Sequence, residues 1–144
     1  MRYTTKLLLP VIAASFFCLP SCVAHSQITT EIRADLHHSF TIGNATLPPG
    51  VYLFQMIQGS DLTAMLADNV DGNSSVEFLV GRSVDSHIPR HSELVFDRYG
   101  KKEFLMHIYQ AGNKSGVTVL EPSRIMARLQ KEGEKPFEHT EEQN

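Results

Sequence analysis

Ile28-Thr-Thr-Glu-Ile32-Arg-Ala-Asp-Leu36-His-His-Ser-Phe40-Thr-Ile42 is the stretch whose reading decides the fold. Its side chains alternate with period two. Ile28, Thr30, Ile32, Ala34, Leu36, His38, Phe40 and Ile42 fall on one face, and Thr29, Glu31, Arg33, Asp35, His37, Ser39 and Thr41 on the other. This is the pattern of an antiparallel strand with one face on a core and one in water. So long a run exceeds an ordinary straight strand, so a bend is expected near His37-His38.

Downstream, Pro48-Pro49-Gly50 fixes a turn, because Pro presets φ and Gly accepts a positive one. A strand over Val51–Ile57 follows, with Tyr52, Phe54 and Met56 inward. Leu62–Ala67 and Ser75–Val80 read as two more, joined by a loop of turn-formers, Asp68–Ser74. Ser92–Tyr99 and Glu103–Gln110 read as a hairpin, and Gly116–Leu120 as a last short strand. The expected fold class is therefore all-β: an antiparallel β-sandwich or small barrel of seven to eight strands. One short C-terminal helix is expected over about 122–132, opened by Pro122 and carrying the apolar stripe Ile125, Met126 and Leu129.

Within the hairpin, a three-residue loop Gly100-Lys101-Lys102 would pair Tyr99 with Glu103, Phe96 with Met106 and Leu94 with Ile108. A two-residue loop would oppose Leu94 to His107 and mix the faces, so the first register is expected, with Arg98 near the rim. Leu105 and Tyr109 are then the expected seat of the helix. The polar, acidic segment 133–144 is expected to be disordered, and its loss to cost almost nothing.

Upstream, residues 1–26 read as an export signal. Arg2 and Lys6 precede the apolar run Leu7–Leu19, and Ala24-His25-Ser26 offers small residues before Gln27. The competing reading is a lipobox, Leu19-Pro20-Ser21-Cys22, with Cys22 lipidated as the first mature residue. Cleavage after Ser26 would remove both cysteines, Cys18 and Cys22, and with them disulfides and thiol chemistry. The remaining 27–144 would hold 11 basic and 16 acidic residues, a formal charge of −5. The domain is expected to occupy 27–132. No apolar run is long enough for a transmembrane helix.

The full chain has 144 residues, 42% of them hydrophobic, and a formal charge of −3, so it can bury one core and lacks the basic footprint of a nucleic-acid binder. No Gly-x-Ser-x-Gly elbow and no phosphate-cradling glycine loop occurs, and no cofactor is expected. In the loop 68–74 the positions that a calcium loop fills with carboxylates hold Ala67 and Phe78, so a hairpin turn on Asp71-Gly72 is expected there. Asp97 and His107 are the candidate catalytic dyad if they share a face of the hairpin; the plainer reading is a surface pair. His87 and His91 are the candidate metal ligands, although Ile88-Pro89 between them forbids the helix that would give their spacing meaning. Ser83 and Asp85 crowd the same region of the chain.

Two stretches together carry a resemblance. Phe40-Thr-Ile-Gly-Asn-Ala-Thr-Leu-Pro-Pro-Gly-Val-Tyr52 has the form F-x-x-G-x-x-x-L-P-x-G-x-Y, and Leu94-Val-Phe-Asp-Arg-Tyr-Gly-Lys-Lys-Glu-Phe-Leu105 the form L-V-F-x-R-Y-G-x-x-x-F-L. Both resemble a family of uncharacterised small exported bacterial β-proteins, over most of 28–132. The resemblance implies export, a β body and a short basic C-terminal helix, and supplies no activity. The function expected on these grounds is that of an exported, non-enzymatic β-domain that binds a partner or plays a structural part in the cell envelope. The alternatives are a β-barrel that binds a small ligand and a hydrolase working through Asp97, His107 or the His87–His91 loop.

Overall fold

The computed structural model describes residues 31–57 and 63–143. The export segment 1–26, the alternative anchor Cys22 and the expected strand start at Ile28 lie outside the described residues. The described elements are β1 (Ile32–Leu36), β2 (Phe40–Ile42), β3 (Ala45–Leu47), β4 (Gly50–Met56), β5 (Ala64–Asn69), β6 (Ser75–Val84), β7 (Ser92–Tyr99), β8 (Lys102–Tyr109), β9 (Ser115–Val119), α1 (Arg124–Lys131) and β10 (Phe137–Gln143). The fold is all-β with a single short helix among the described residues, as the alternation predicts, but with ten strands. Among the described residues, no helix is long and apolar enough to cross a membrane.

The expected bend falls at His37–Ser39. It separates β1, which pairs antiparallel with β4, from β2, which pairs with β3 and runs parallel to β8 at Thr41↔Phe104. Three unpaired residues keep the phase, so Ile32, Ala34, Leu36, Phe40 and Ile42 all enter one core. The strands follow the order β1-β4-β5-β6-β9-β8-β2-β3, and β7 and β10 extend the sheet from the other edge of β8. The ten-residue β6 links the two halves: Ser75–Leu79 pair with β5, and Val80–Val84 with β9. The sheet curls over its core without closing.

Aromatic rings occupy the middle of that core. Phe40 meets Tyr52 and Phe96 edge-on at centroid distances of 5.1 and 6.0 Å. The Tyr52 hydroxyl donates to the Pro48 carbonyl at 2.8 Å, which ties the Pro48-Pro49-Gly50 turn to the interior. A side chain at Gly50 would place its Cβ 2.6 Å from the buried Asn69 amide, so the turn requires glycine.

The hairpin departs from the expected register. Tyr99 pairs with Lys102 across the two-residue loop Gly100-Lys101, and Phe96 faces Leu105. Val95 then faces His107, which leaves Met106 as an extra residue on β8 before Leu94↔Ile108 restores the expected pair. In a regular ladder the short loop would mix the faces; the bulge avoids this by shifting the phase of β8. Leu105 and Ile108 therefore both enter the core, while Phe104 lies with Tyr99, Met126 and the half-buried Met106 and Leu129 in a second cluster. The helix sits there, not on Leu105 and Tyr109. Ser123 caps it by accepting from the amides of Ile125 and Met126, and Gln130 donates to the Tyr99 hydroxyl at 2.9 Å. Ile125 remains exposed.

The tail expected to be disordered is ordered. Phe137–Gln143 pairs with β7 residue for residue, from Phe137↔Arg98 to Gln143↔Ser92. Composition understates such a segment, because its backbone ladder along an open edge does not depend on apolar side chains. Ending the chain at Gly133 is thus expected to destabilise it by about 2 kcal/mol, a few net hydrogen bonds at roughly 1 kcal/mol each. Ending it at Leu120 should cost about 3 kcal/mol more, as Tyr99 and Phe104 lose Met126 and Leu129. Urea unfolding of the two truncations checks both figures; an unchanged midpoint for the first means that β10 is not seated.

Candidate functional site

Four groupings could carry chemistry, and the first lies under β10. Arg98 and Glu103 face each other across β7 and β8, and the guanidinium binds the buried carboxylate through Nε and Nη2. Arg98 Nη2 also donates to His139 Nδ1 at 3.0 Å. Because a guanidinium only donates, that nitrogen must accept, so the His139 proton sits on Nε2, which faces Glu141 Oε1 at 3.3 Å. Glu141 Oε1 is in turn 3.2 Å from His38 Nδ1, and His38 Nε2 is 3.5 Å from Glu103 Oε2. Five side chains from the bend, β7, β8 and β10 thus close a polar ring. The last contact is loose, and both of its atoms are buried without a hydrogen bond. Sequence reading placed Arg98 at a rim and missed the ring, whose members are up to 103 positions apart by subtraction of their residue numbers.

Asp97 and His107 do share the outer face of the hairpin, but no hydrogen bond among the described residues joins them. His107 Nδ1 instead meets Ser83 Oγ at 3.3 Å, and Ser83 Oγ lies 2.8 Å from the Tyr109 hydroxyl. The His107 and Tyr109 rings are stacked. Tyr109 reaches β6 across Gly116, where a Cβ would stand 2.4 Å from the ring, so glycine is required in β9. Burial raises the Asp97 pKa, the Glu138 charge raises it further, and His107 opposes both. Glu138 faces Asp97 directly in the β10–β7 ladder.

Asp85, His87 and Glu93 form the third grouping, and His91 stays exposed outside it. Asp85 Oδ1 accepts from the His87 amide at 3.1 Å and lies 2.8 Å from His87 Nδ1. The hydrogen bond from the His87 backbone N–H lowers the Asp85 pKa, and the hydrogen bond to the Asp85 carboxylate raises that of His87. Of the two histidines expected together, His87 thus lies with Asp85 and Glu93, and His91 lies outside the grouping. The signal in the sequence was Asp85-Ser86-His87, since Asp favours a bond to the amide two residues on.

The fourth grouping is apolar. At one end of the sheet a mouth of about 260 Å³ opens onto Ile32, Met56, Met65, Ile108 and Val117, with Gln110, Asn113 and Ser115 also lining it. A smaller cavity of about 190 Å³ lies beside α1, next to Phe104 and Met126. Between β1 and β10 runs an open polar gap bounded by Arg33, Asp35, His37 and Glu141. Compared with known proteins, the chain matches no family model, no curated protein and no solved structure.

The raised Asp97 pKa has a defined consequence. The folded state holds this proton more tightly than the unfolded state, so the group costs stability as pH rises above the ordinary carboxylate value of 3.8. Asp97→Asn should therefore stabilise the domain at neutral pH by about 0.5 kcal/mol, the scale of one like-charge cross-strand pair. The gain should vanish in acid, where Asp97 is protonated. Urea midpoints of both proteins at the two pH values test this; a gain that persists in acid assigns it to something other than charge.

Proposed function

We propose that this chain is an exported, non-enzymatic β-domain of the cell envelope that works by binding, and that the apolar mouth is where it binds. The mouth is the observation that carries the reading. Its walls are Ile, Met and Val side chains that would otherwise complete a filled core, and Gln110, Asn113 and Ser115 supply a few polar groups. Concave, mainly apolar sites with a few polar groups are the ordinary form of small-molecule sites. Met56 and Met65 give the wall compliance, because an unbranched thioether adapts to irregular shapes. The acid–base side chains elsewhere are engaged mainly with one another. The export reading rests on residues 1–26 and on the resemblance of 40–52 and 94–105.

The binding reading predicts saturable, one-to-one uptake of an anilinonaphthalene fluorophore with a blue-shifted emission. Met56→Trp, which fills the half-buried wall position, should weaken that uptake at least tenfold while leaving the unfolding free energy within about 1 kcal/mol of the parent. Equal uptake by parent and variant, or none by either, rejects the mouth as the site. The export reading is checked on the protein recovered from cells: intact mass should place the N-terminus at Gln27. An acylated Cys22 in the membrane fraction would replace it with the anchored form.

A further inference from the structure

We propose that the loop between β6 and β7 holds a divalent-cation site of the zinc type, with His87 Nε2 and the Glu93 carboxylate as ligands and Asp85 as the positioning residue. The inference begins with the burial of Glu93. It stands near the start of β7, 7% exposed, and the group that faces its carboxylate is the imidazole of His87. Burying a carboxylate is costly unless it is paired, hydrogen-bonded or bound to a metal. No Lys or Arg among the described residues forms an ion pair with it; an exposed histidine stands there instead.

The geometry around that histidine is asymmetric. On one side, Asp85 Oδ1 lies 2.8 Å from Nδ1, a hydrogen bond of ordinary length. Asp85 is itself fixed by the Ser86 hydroxyl and the His87 amide, both of which donate to the same oxygen. This arrangement puts the imidazole proton on Nδ1 and aims the Nε2 lone pair at Glu93. On the other side, Nε2 and Glu93 Oε1 stand 3.6 Å apart, too far for a good hydrogen bond. Two electron-pair donors at that spacing fit across one ion, whose bonds to imidazole nitrogen and carboxylate oxygen are each about 2.0–2.2 Å.

Asp85 then plays the outer carboxylate, which orients a ligating imidazole through its second nitrogen and strengthens it as a donor. One donor atom from each of the three residues lies within 4.8 Å of the others, so little rearrangement is needed. His87 is exposed and open to solvent, which leaves room for water in the remaining coordination positions. One nitrogen with carboxylate oxygen suits zinc better than magnesium or calcium, which prefer all-oxygen sets. The site is independent of the apolar mouth and of the reading built on it.

Calorimetric titration of the purified protein with Zn²⁺ at neutral pH tests the assignment. One-to-one binding is expected, lost in His87→Ala and in Glu93→Gln, and weakened about 10–100-fold in Asp85→Asn. His91→Ala should bind as the parent does. Zinc should also raise the melting temperature of the parent and leave that of His87→Ala unmoved, which shows that the ion binds the folded state. If the parent binds no zinc, or His87→Ala or Glu93→Gln binds it as well as the parent, the site is refuted and His87 is an ion-pair partner of two carboxylates. Undiminished affinity in Asp85→Asn would overturn the positioning role.

Discussion

The extra residue in β8 is the constraint on which the rest of the molecule depends. A regular strand sends alternate side chains to opposite faces, so one phase serves one core throughout its length. β8 has to serve two. Before Met106 it sends Phe104 outward to Tyr99 and α1 and Leu105 inward to Phe96. Without a change of phase its next inward residue would be His107, opposite Leu94. The bulge passes over that position and delivers Ile108 to the core instead. It also divides the far edge of β8, which meets β2 at Phe104 and β9 from His107 onward. Two neighbours of different direction can share that edge because the ladder is already interrupted between them.

β10 depends on this arrangement in a second way. It covers the edge of β7, which would otherwise stand open, and the polar ring sets its register. His139 and Glu141 are its inward-leaning residues, and they engage Arg98 and His38. A slip of one residue would turn both outward and leave the Arg98–Glu103 pair facing Glu138 or Thr140. An ion pair such as this, with Glu103 buried and Arg98 partly exposed, contributes little net stability. Its value here lies in discrimination, because a strand as polar as Phe137–Gln143 has few apolar contacts to choose its register. Charges do for β10 what side-chain volume does for β1.

The sequence disclosed those features that a single strand expresses by itself. Alternation through Ile32–Ile42 revealed the core face, the doubled histidine marked the bend, and Pro48-Pro49-Gly50 marked the turn. Ser92–Tyr99 could be bounded to the residue. What stayed hidden belongs to pairs of strands. The bulge at Met106 cannot be seen from β8 alone, because each regular register satisfies part of the apolar pattern and only the partner strand shows that neither satisfies all of it. β10 was hidden because composition measures side-chain burial and is blind to a backbone ladder. The same limit separated His87 from Glu93 and His107 from Ser83, whose proximity depends on how the strands and loops are brought together. His91, close to His87 in sequence, lies outside the group that His87 forms with Asp85 and Glu93.

Those tertiary contacts also explain why the outer and inner faces of β9 are not independent. Gly116 lines the apolar mouth, and the Tyr109 ring crosses over it on the way to Ser83. A Cβ there would strike the Ile108 carbonyl at 2.4 Å, so any side chain would push β9 away from β8. Ile108 in turn presents its side chain to the mouth while its neighbours His107 and Tyr109 stack on the opposite face. One close approach of two backbones therefore shapes the wall of the cavity and draws Ser83, His107 and Tyr109 together behind it. The array has the residue types of acid–base chemistry, yet its contacts are those of a brace. Serine is shared between a histidine and a tyrosine, and the aspartate that would complete a relay faces Phe104 and Glu138. The polar groups tie β6, β8 and β9 together behind the wall of the apolar cavity.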